Sequence, residues 1–256
     1  MTLITPTLRS ISLHVHDPNS IGGNLPTDLE QVAASLLLPI SANTPSLRQL
    51  AVYGVRDPSW LTPVTAWNAL QILELGTDHL NTPLLDYLCA SGSLVDLTVG
   101  IYSLPENIAS YRGFENLQKL TLYGKSKTII QFSPSVTSSR LRYLTLMVGD
   151  FKDPESFEDC APLLSLLSSR YPSLRNFELC LLKAVVTNST TSACSIFEPL
   201  TSMCMLETIC VYISRAYDMA DGDFATLPAF WPALKEFVFL VTNGANPLSV
   251  QPRTLV

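Results

Sequence analysis

One short hydrophobic pattern, Leu-x-x-Leu-x-Leu, recurs along the chain, most plainly from Asn116 to Gly124, where Leu117, Leu120 and Leu122 alternate with Lys119, Thr121 and Tyr123. Copies begin at Leu8, Leu47, Leu70, Leu94, Leu117, Leu141, Leu174, Leu206 and Leu234, each with apolar residues three and five positions later. The successive spacings are 39, 23, 24, 23, 24, 33, 32 and 28 residues. Side chains on a strand alternate between its two faces, so the third and fifth positions share one face and the residues between them share the other. The pattern therefore predicts one short strand per copy. A single strand of this kind cannot bury its apolar side, but copies stacked side by side form a parallel sheet over a shared core, with the connecting segments returning behind it. The predicted fold is α/β, about nine parallel strands in one domain over residues 1–256, with residues 242–256 as a C-terminal tail or cap.

The connecting segments set what each return looks like. Residues 28–40 carry Leu29, Val32, Ala33, Leu36 and Leu37 at helical spacing behind the cap candidates Thr27 and Asp28, and residues 154–170 carry Phe157, Leu163, Leu164 and Leu167 likewise. Residues 83–90 and 196–203 are shorter helical candidates. The stretch 124–139, rich in Ser, Thr and Lys with β-branched Ile129, Ile130 and Val136, predicts an extended return instead. Pro6, Pro45, Pro172 and Pro232 each precede the first Leu of a copy by two residues. Proline lacks the amide donor and disfavours helix in the residue before it, so it ends each return just ahead of the strand.

Composition narrows the function. The net charge is −6 and the basic residues are scattered singly, without the Lys/Arg stripe that holds phosphates, which argues against nucleic acid as a partner. No apolar run approaches the roughly 20 residues of a membrane helix, and no basic-then-apolar leader opens the chain, so an intracellular protein, cytoplasmic or nuclear, is expected. Only 15% of residues are charged, below the usual roughly 25%. Either the surface is rich in Ser and Thr instead, or part of it is covered by a partner or by a further segment of chain. The six cysteines, Cys89, Cys160, Cys180, Cys194, Cys204 and Cys210, follow no metal spacing and are expected to be free thiols in or beside the core. His14, His16 and Asp17 lie close together without a nucleophile motif, and no phosphate-binding glycine loop or zinc signature is present. Neither an enzyme nor a cofactor or metal site is expected.

The units resemble leucine-rich repeats, with the fullest match at residues 70–80, Leu-Gln-Ile-Leu-Glu-Leu-Gly-Thr-Asp-His-Leu, where Asp78 stands at the family's Asn position. The other copies hold His16, Val55, Tyr102, Lys125, Gly149, Leu182, Ser214 and Thr242 there, so the buried amide ladder of regular members is missing. The resemblance implies an irregular leucine-rich-repeat solenoid, a horseshoe with a concave parallel sheet and mixed helix, 3₁₀ and loop returns. Uneven repeats, Ser-rich connectors and Pro-Ser-Leu-Arg before the strands are similar to the repeat regions of fungal F-box proteins. That implies the substrate-recognition part of an F-box-type ubiquitin-ligase receptor, whose F-box, absent from these residues, would precede them and hold the ligase adaptor. The alternative is a free-standing repeat scaffold or a regulator of an enzyme or GTPase.

Outward positions fall two, four and six residues after the first Leu of each copy. Tyr53, Tyr123, Met147 and Tyr212 lie at the sixth, Tyr143 at the second and Glu178 at the fourth. Tyrosines combine an apolar body with a polar tip and are enriched where interfaces carry their energy. These six residues are the candidate partner-binding face, for a protein.

Overall fold

The protein is described here by a computed structural model covering residues 7–14, 27–54, 58–77, 79–149, 160–181, 197–213 and 230–241. The elements are strands β1 (Ser10–His14), β2 (Gln49–Tyr53), β3 (Ile72–Gly76), β4 (Asp96–Gly100), β5 (Lys119–Gly124), β6 (Tyr143–Val148), β7 (Asn176–Leu181), β8 (Thr208–Ile213) and β9 (Glu236–Val241). Helices α1 (Thr27–Asn43), α2 (Thr82–Ala90), α3 (Ser126–Phe132) and α4 (Ala161–Arg170) lie between strands, as do 3₁₀ turns at Pro58–Ala66, Ile108–Ser110, Ser133–Ser135 and Glu198–Ser202. Every strand starts two residues after the first Leu of its copy.

The chain divides into two compact units. The first, residues 1–118 with 134–138, holds β1 to β4, parallel and paired in chain order with Ser10, Gln49, Ile72 and Asp96 in register. The second, residues 119–133 with 139–256, holds β5 to β9, again parallel and in chain order, with Lys119, Tyr143, Asn176, Thr208 and Glu236 in register. Each unit is an α/β solenoid of parallel strands stacked in chain order, with helices and 3₁₀ turns between them.

The inward set forms the core. Leu50, Leu73, Leu97, Leu120, Leu144, Phe177 and Ile209 are buried, as are the apolar residues two positions after each. At roughly 25 cal/mol per Å² of apolar surface, each fully buried Leu contributes about 1.5–3 kcal/mol. On β1 and β9 the same positions, Ile11, Leu13, Phe237 and Phe239, are only half-buried, as the outermost strands of a stack require.

A second layer sits three residues before the first Leu of the copies, at Trp67, Phe114, Tyr171, Met203 and Trp231, all buried. The backbone oxygen of each accepts a hydrogen bond from the amide of that Leu, closing a turn at 3.0–3.5 Å. Thr44 does the same for Leu47 at 3.1 Å. In Thr44-Pro45, Tyr171-Pro172 and Trp231-Pro232 the proline occupies the second position of this turn, where its fixed φ is already suited. The prolines thus form the turn as well as ending the return.

Cross-repeat hydrogen bonds serve where the amide ladder is missing. The Trp67 indole donates to Thr44 O at 3.0 Å, the Ser93 hydroxyl to Leu70 O at 2.7 Å, the Ser138 hydroxyl to Leu117 O at 2.6 Å, and the Trp231 indole to Leu200 O at 2.9 Å. At the strand starts one carbonyl serves two donors: Arg48 O accepts from Gln71 N and Ile72 N, and Arg175 O from Glu207 N and Thr208 N. Buried backbone groups are thereby paired in every such layer.

Three helical expectations match: α1 and α2 cover the predicted spans to within three residues at each end, and α4 forms the end of the 154–170 candidate, whose first part lies outside the described residues. Asn81 caps α2, its side chain accepting from Leu84 N at 3.0 Å. The 196–203 candidate is a 3₁₀ turn. The expected extended return at 124–139 is corrected: it contains α3 and a 3₁₀ turn. Ser126, Ile129 and Phe132 lie three apart on one buried helical face, and their burial outweighs the β-branched preference of Ile129 and Ile130. Asp78, His16, Asp17, Cys194 and the tail 242–256 lie outside the described residues.

Candidate functional site

Parity of the register puts the residues at positions two, four and six on one side of each sheet, opposite the core. In the second unit this side carries Tyr123, Met147, Cys180, Tyr212 and Leu240 in one row and Thr121, Thr145, Glu178, Cys210 and Val238 in the next. Five of the six predicted residues, Tyr123, Tyr143, Met147, Glu178 and Tyr212, are therefore brought onto four adjacent strands. Tyr53 belongs to the first unit.

Exposure differs sharply along these rows. Tyr143 is 49% exposed; Tyr123, Glu178 and Tyr212 are half-buried; Met147 is 6% and Cys180 1% exposed. Alternation along a strand assigns a face, whereas exposure depends on how tall the flanking side chains stand. Large neighbours on adjacent strands cover the shorter residues between them.

Tyr53 is occupied within the first unit. Its ring stacks on His14 at 4.8 Å between centroids, and its hydroxyl donates to the Glu74 carboxylate. Gly76, in register with Tyr53, makes this possible, since a β-carbon there would stand 2.9 Å from Tyr53 Cδ1 and 3.1 Å from its Cα. The Ser12 hydroxyl lies 3.0 Å from His14 Nε2. Ser12, His14, Tyr53 and Glu74 are thus linked by contacts across β1, β2 and β3.

Electrostatics on the second unit's outward side are dominated by Glu178. Its carboxylate accepts from the Thr145 hydroxyl at 3.1 Å, and Cys180 Sγ lies 3.8 Å from it. Burial, reinforced by Glu178, pushes the Cys180 thiol up to about 12. Cys210 is pushed up to about 11 by burial, with Glu178 and Glu236 adding to it. Tyr212 is pushed up to about 12, again by burial first, then by Cys210 and Glu178. At neutral pH these groups are uncharged, which suits hydrogen bonding and packing and leaves the thiols poor nucleophiles.

All five described cysteines are free thiols; Cys160 is buried and Cys89 half-buried, as expected, whereas Cys204 is exposed rather than in or beside the core. Among the described residues no group of three or more His, Cys, Asp or Glu is placed to hold a metal ion. No described helix is long and apolar enough to cross a membrane. The residues that sequence reasoning passed over are Asn176, Cys180, Thr208 and Cys210, which complete the surroundings of Glu178. Their signal was present in the outward rows, but they are chemically too ordinary to stand out before the strands are laid side by side.

No protein-family profile matches the chain, and no curated protein matches it. Among solved structures it is similar to the leucine-rich repeat-containing protein LegL7 from Legionella pneumophila, at 16% identity and a TM-score of 0.47 over 94% of each chain. It is also similar to a protein from Bacteroides fragilis, at 14% identity and a TM-score of 0.42, with 90% of this chain and 65% of that one covered.

Proposed function

We propose that the chain is a protein-interaction module whose outward sheet side in the second unit, around Tyr123, Tyr143, Met147, Glu178 and Tyr212, holds a protein partner. The observation that carries this reading is the run of tyrosines on strands β5, β6 and β8, which gives amphipathic side chains on a regular backbone. Tyr side chains lose little rotamer entropy on binding, which favours them as anchors. Rigid elements also hold contact groups more closely than loops do.

The finer reading is the substrate-recognition part of an F-box-type ubiquitin-ligase receptor acting in the cytoplasm or nucleus. It is supported by the Pro-Ser-Leu-Arg strand starts at residues 45–48 and 172–175. The test is capture of partner and adaptor by the full-length gene product, compared with variants carrying Tyr143→Ala or Tyr123→Ala with Tyr212→Ala. Loss of partner by these variants at unchanged melting temperature is the expected result. Recovery of a cullin-ligase adaptor with the wild type supports the receptor, whereas a partner without any adaptor points to a free-standing scaffold. Unchanged capture by both variants would overturn the binding face itself.

A further inference from the structure

Glu178 stands at the centre of a grid of nine outward positions on three strands. On β6 these are Tyr143, Thr145 and Met147; on β7 Asn176 and Cys180 flank it; on β8 they are Thr208, Cys210 and Tyr212. Thr145 and Cys210 are its direct register partners, so Tyr143 and Tyr212 occupy opposite corners. Diagonal neighbours across a sheet lie roughly 7–8 Å apart, within reach of aromatic side chains. The grid thus holds a single carboxylate between two phenol rings.

No lysine or arginine occupies the grid. Lys119, on β5 beside Tyr143, is the outward cation of the described strands, two strands across and two residues along from Glu178 and so roughly 12 Å away, while Arg175, three residues before Glu178, is ion-paired with Glu207. The second outward carboxylate of this side, Glu236, lies on β9 in register with Thr208. Both add negative potential where the thiols and Tyr212 carry none at neutral pH. Among the described residues the Glu178 carboxylate has one hydroxyl donor and one weak thiol donor, while a carboxylate offers about four acceptor sites. Half-buried rather than buried, it has acceptor capacity left.

A guanidinium answers every part of this arrangement. Its planar fork donates two parallel hydrogen bonds to one carboxylate, and its flat face stacks on tyrosine. An ammonium satisfies the charge but has no plane to lay against the rings. We infer that the grid centred on Glu178 receives an arginine side chain of the protein partner, bonded to the Glu178 carboxylate and flanked by Tyr143 and Tyr212. This rests on the partner-binding reading of the same sheet side and names the group that it recognises.

The test uses fluorescein-labelled octa-arginine, octa-lysine and octa-citrulline, titrated by fluorescence anisotropy into the full chain. Controls are Glu178→Gln and Glu198→Gln, the latter an exposed carboxylate on a 3₁₀ turn, so both change net charge equally. Octa-arginine is expected to bind more tightly than octa-lysine, and octa-citrulline not to bind. Glu178→Gln should weaken octa-arginine about tenfold, as loss of a charge-assisted pair implies, with Glu198→Gln within about twofold of wild type. No octa-arginine binding, equal effects of the two substitutions, or equal affinity for lysine would overturn the arginine site. Failure of the partner-binding reading looks different: the tyrosine variants then keep the natural partner, whatever the peptides do. If they lose the partner while Glu178→Gln binds octa-arginine as wild type does, the face stands and the arginine site falls.

Discussion

Gly113 is the position where a single methyl group tests the packing most sharply. A β-carbon there would stand 2.3 Å from Cys89 O, 2.6 Å from Cys89 Cα and 2.7 Å from Cys89 C. These are backbone atoms at the end of α2 and cannot swing aside. Gly113 cannot retreat either, because its amide donates to Ser135 O at 2.9 Å and its carbonyl accepts from Thr137 N at 2.9 Å and from the Thr137 hydroxyl at 2.8 Å. The next residue, Phe114, is held at φ 61 with its ring fully buried, an unfavourable backbone state that the surrounding packing maintains. Overpacking costs about 1–3 kcal/mol, and loosening one or two of these hydrogen bonds adds about 1 kcal/mol, so Gly113→Ala should destabilise by about 2–4 kcal/mol. For a chain of this size that is a fall in melting temperature of about 4–16 °C. Gly92→Ala is the control, since nothing lies within 4 Å of a β-carbon there, and it should stay within about 3 °C of wild type. Thermal melts followed by circular dichroism, with urea midpoints as a second measure, decide it. If Gly113→Ala melts together with Gly92→Ala, the close approach of this return to α2 is wrong.

Further expectations follow from the core and from the thiols. Leu120→Asp places an unpaired charge at a position 1% exposed in a core shared by neighbouring strands, and should abolish the cooperative unfolding transition. A wild-type melt for that variant would refute the register, and one calorimetric transition for the parent chain would support a single domain over residues 1–256, where two would count against it. Iodoacetamide at pH 8 should label exposed Cys204 well before Cys180 and Cys210, whose thiols stay protonated until about pH 12 and 11. Because the folded chain holds those protons to higher pH than the unfolded chain, stability is intact below about pH 9 and falls as pH rises through 11 to 12. Cys180→Ala should flatten part of that fall in urea titrations, and an unchanged slope would show the thiol to be no part of it.

The strands were legible because the sequence states them twice. The inward Leu, Ile, Val and Phe recur at offsets that only a strand satisfies, and Pro45, Pro172 and Pro232 mark where three of them begin. The turn-closing layer was not legible, although it too has a fixed offset. Trp67, Phe114, Tyr171, Met203 and Trp231 are all large and largely apolar, but other copies carry Thr44, Ser91 and Ser138 at the same offset, so the position does not stand out along the sequence. The helix at Ser126–Phe132 was hidden for the opposite reason. Its local preferences favour extended chain, and only the buried face formed by Ile129 and Phe132 reverses them. At the candidate site the sequence placed Tyr123, Tyr143, Glu178 and Tyr212 on one side but could not show that Met147 lies almost covered or that Tyr53 is turned onto Glu74. Both depend on contacts between strands distant in sequence.

The most direct test of the binding face is position-specific photo-crosslinking. Benzoylphenylalanine is introduced singly at Tyr123, Tyr143 or Tyr212, and for comparison at Ser165, an exposed position on α4 behind the sheet. Each protein is irradiated with the partner that the wild type retains. The account predicts covalent capture from the three tyrosine positions and none from Ser165; capture from Ser165 with none from the sheet would contradict it.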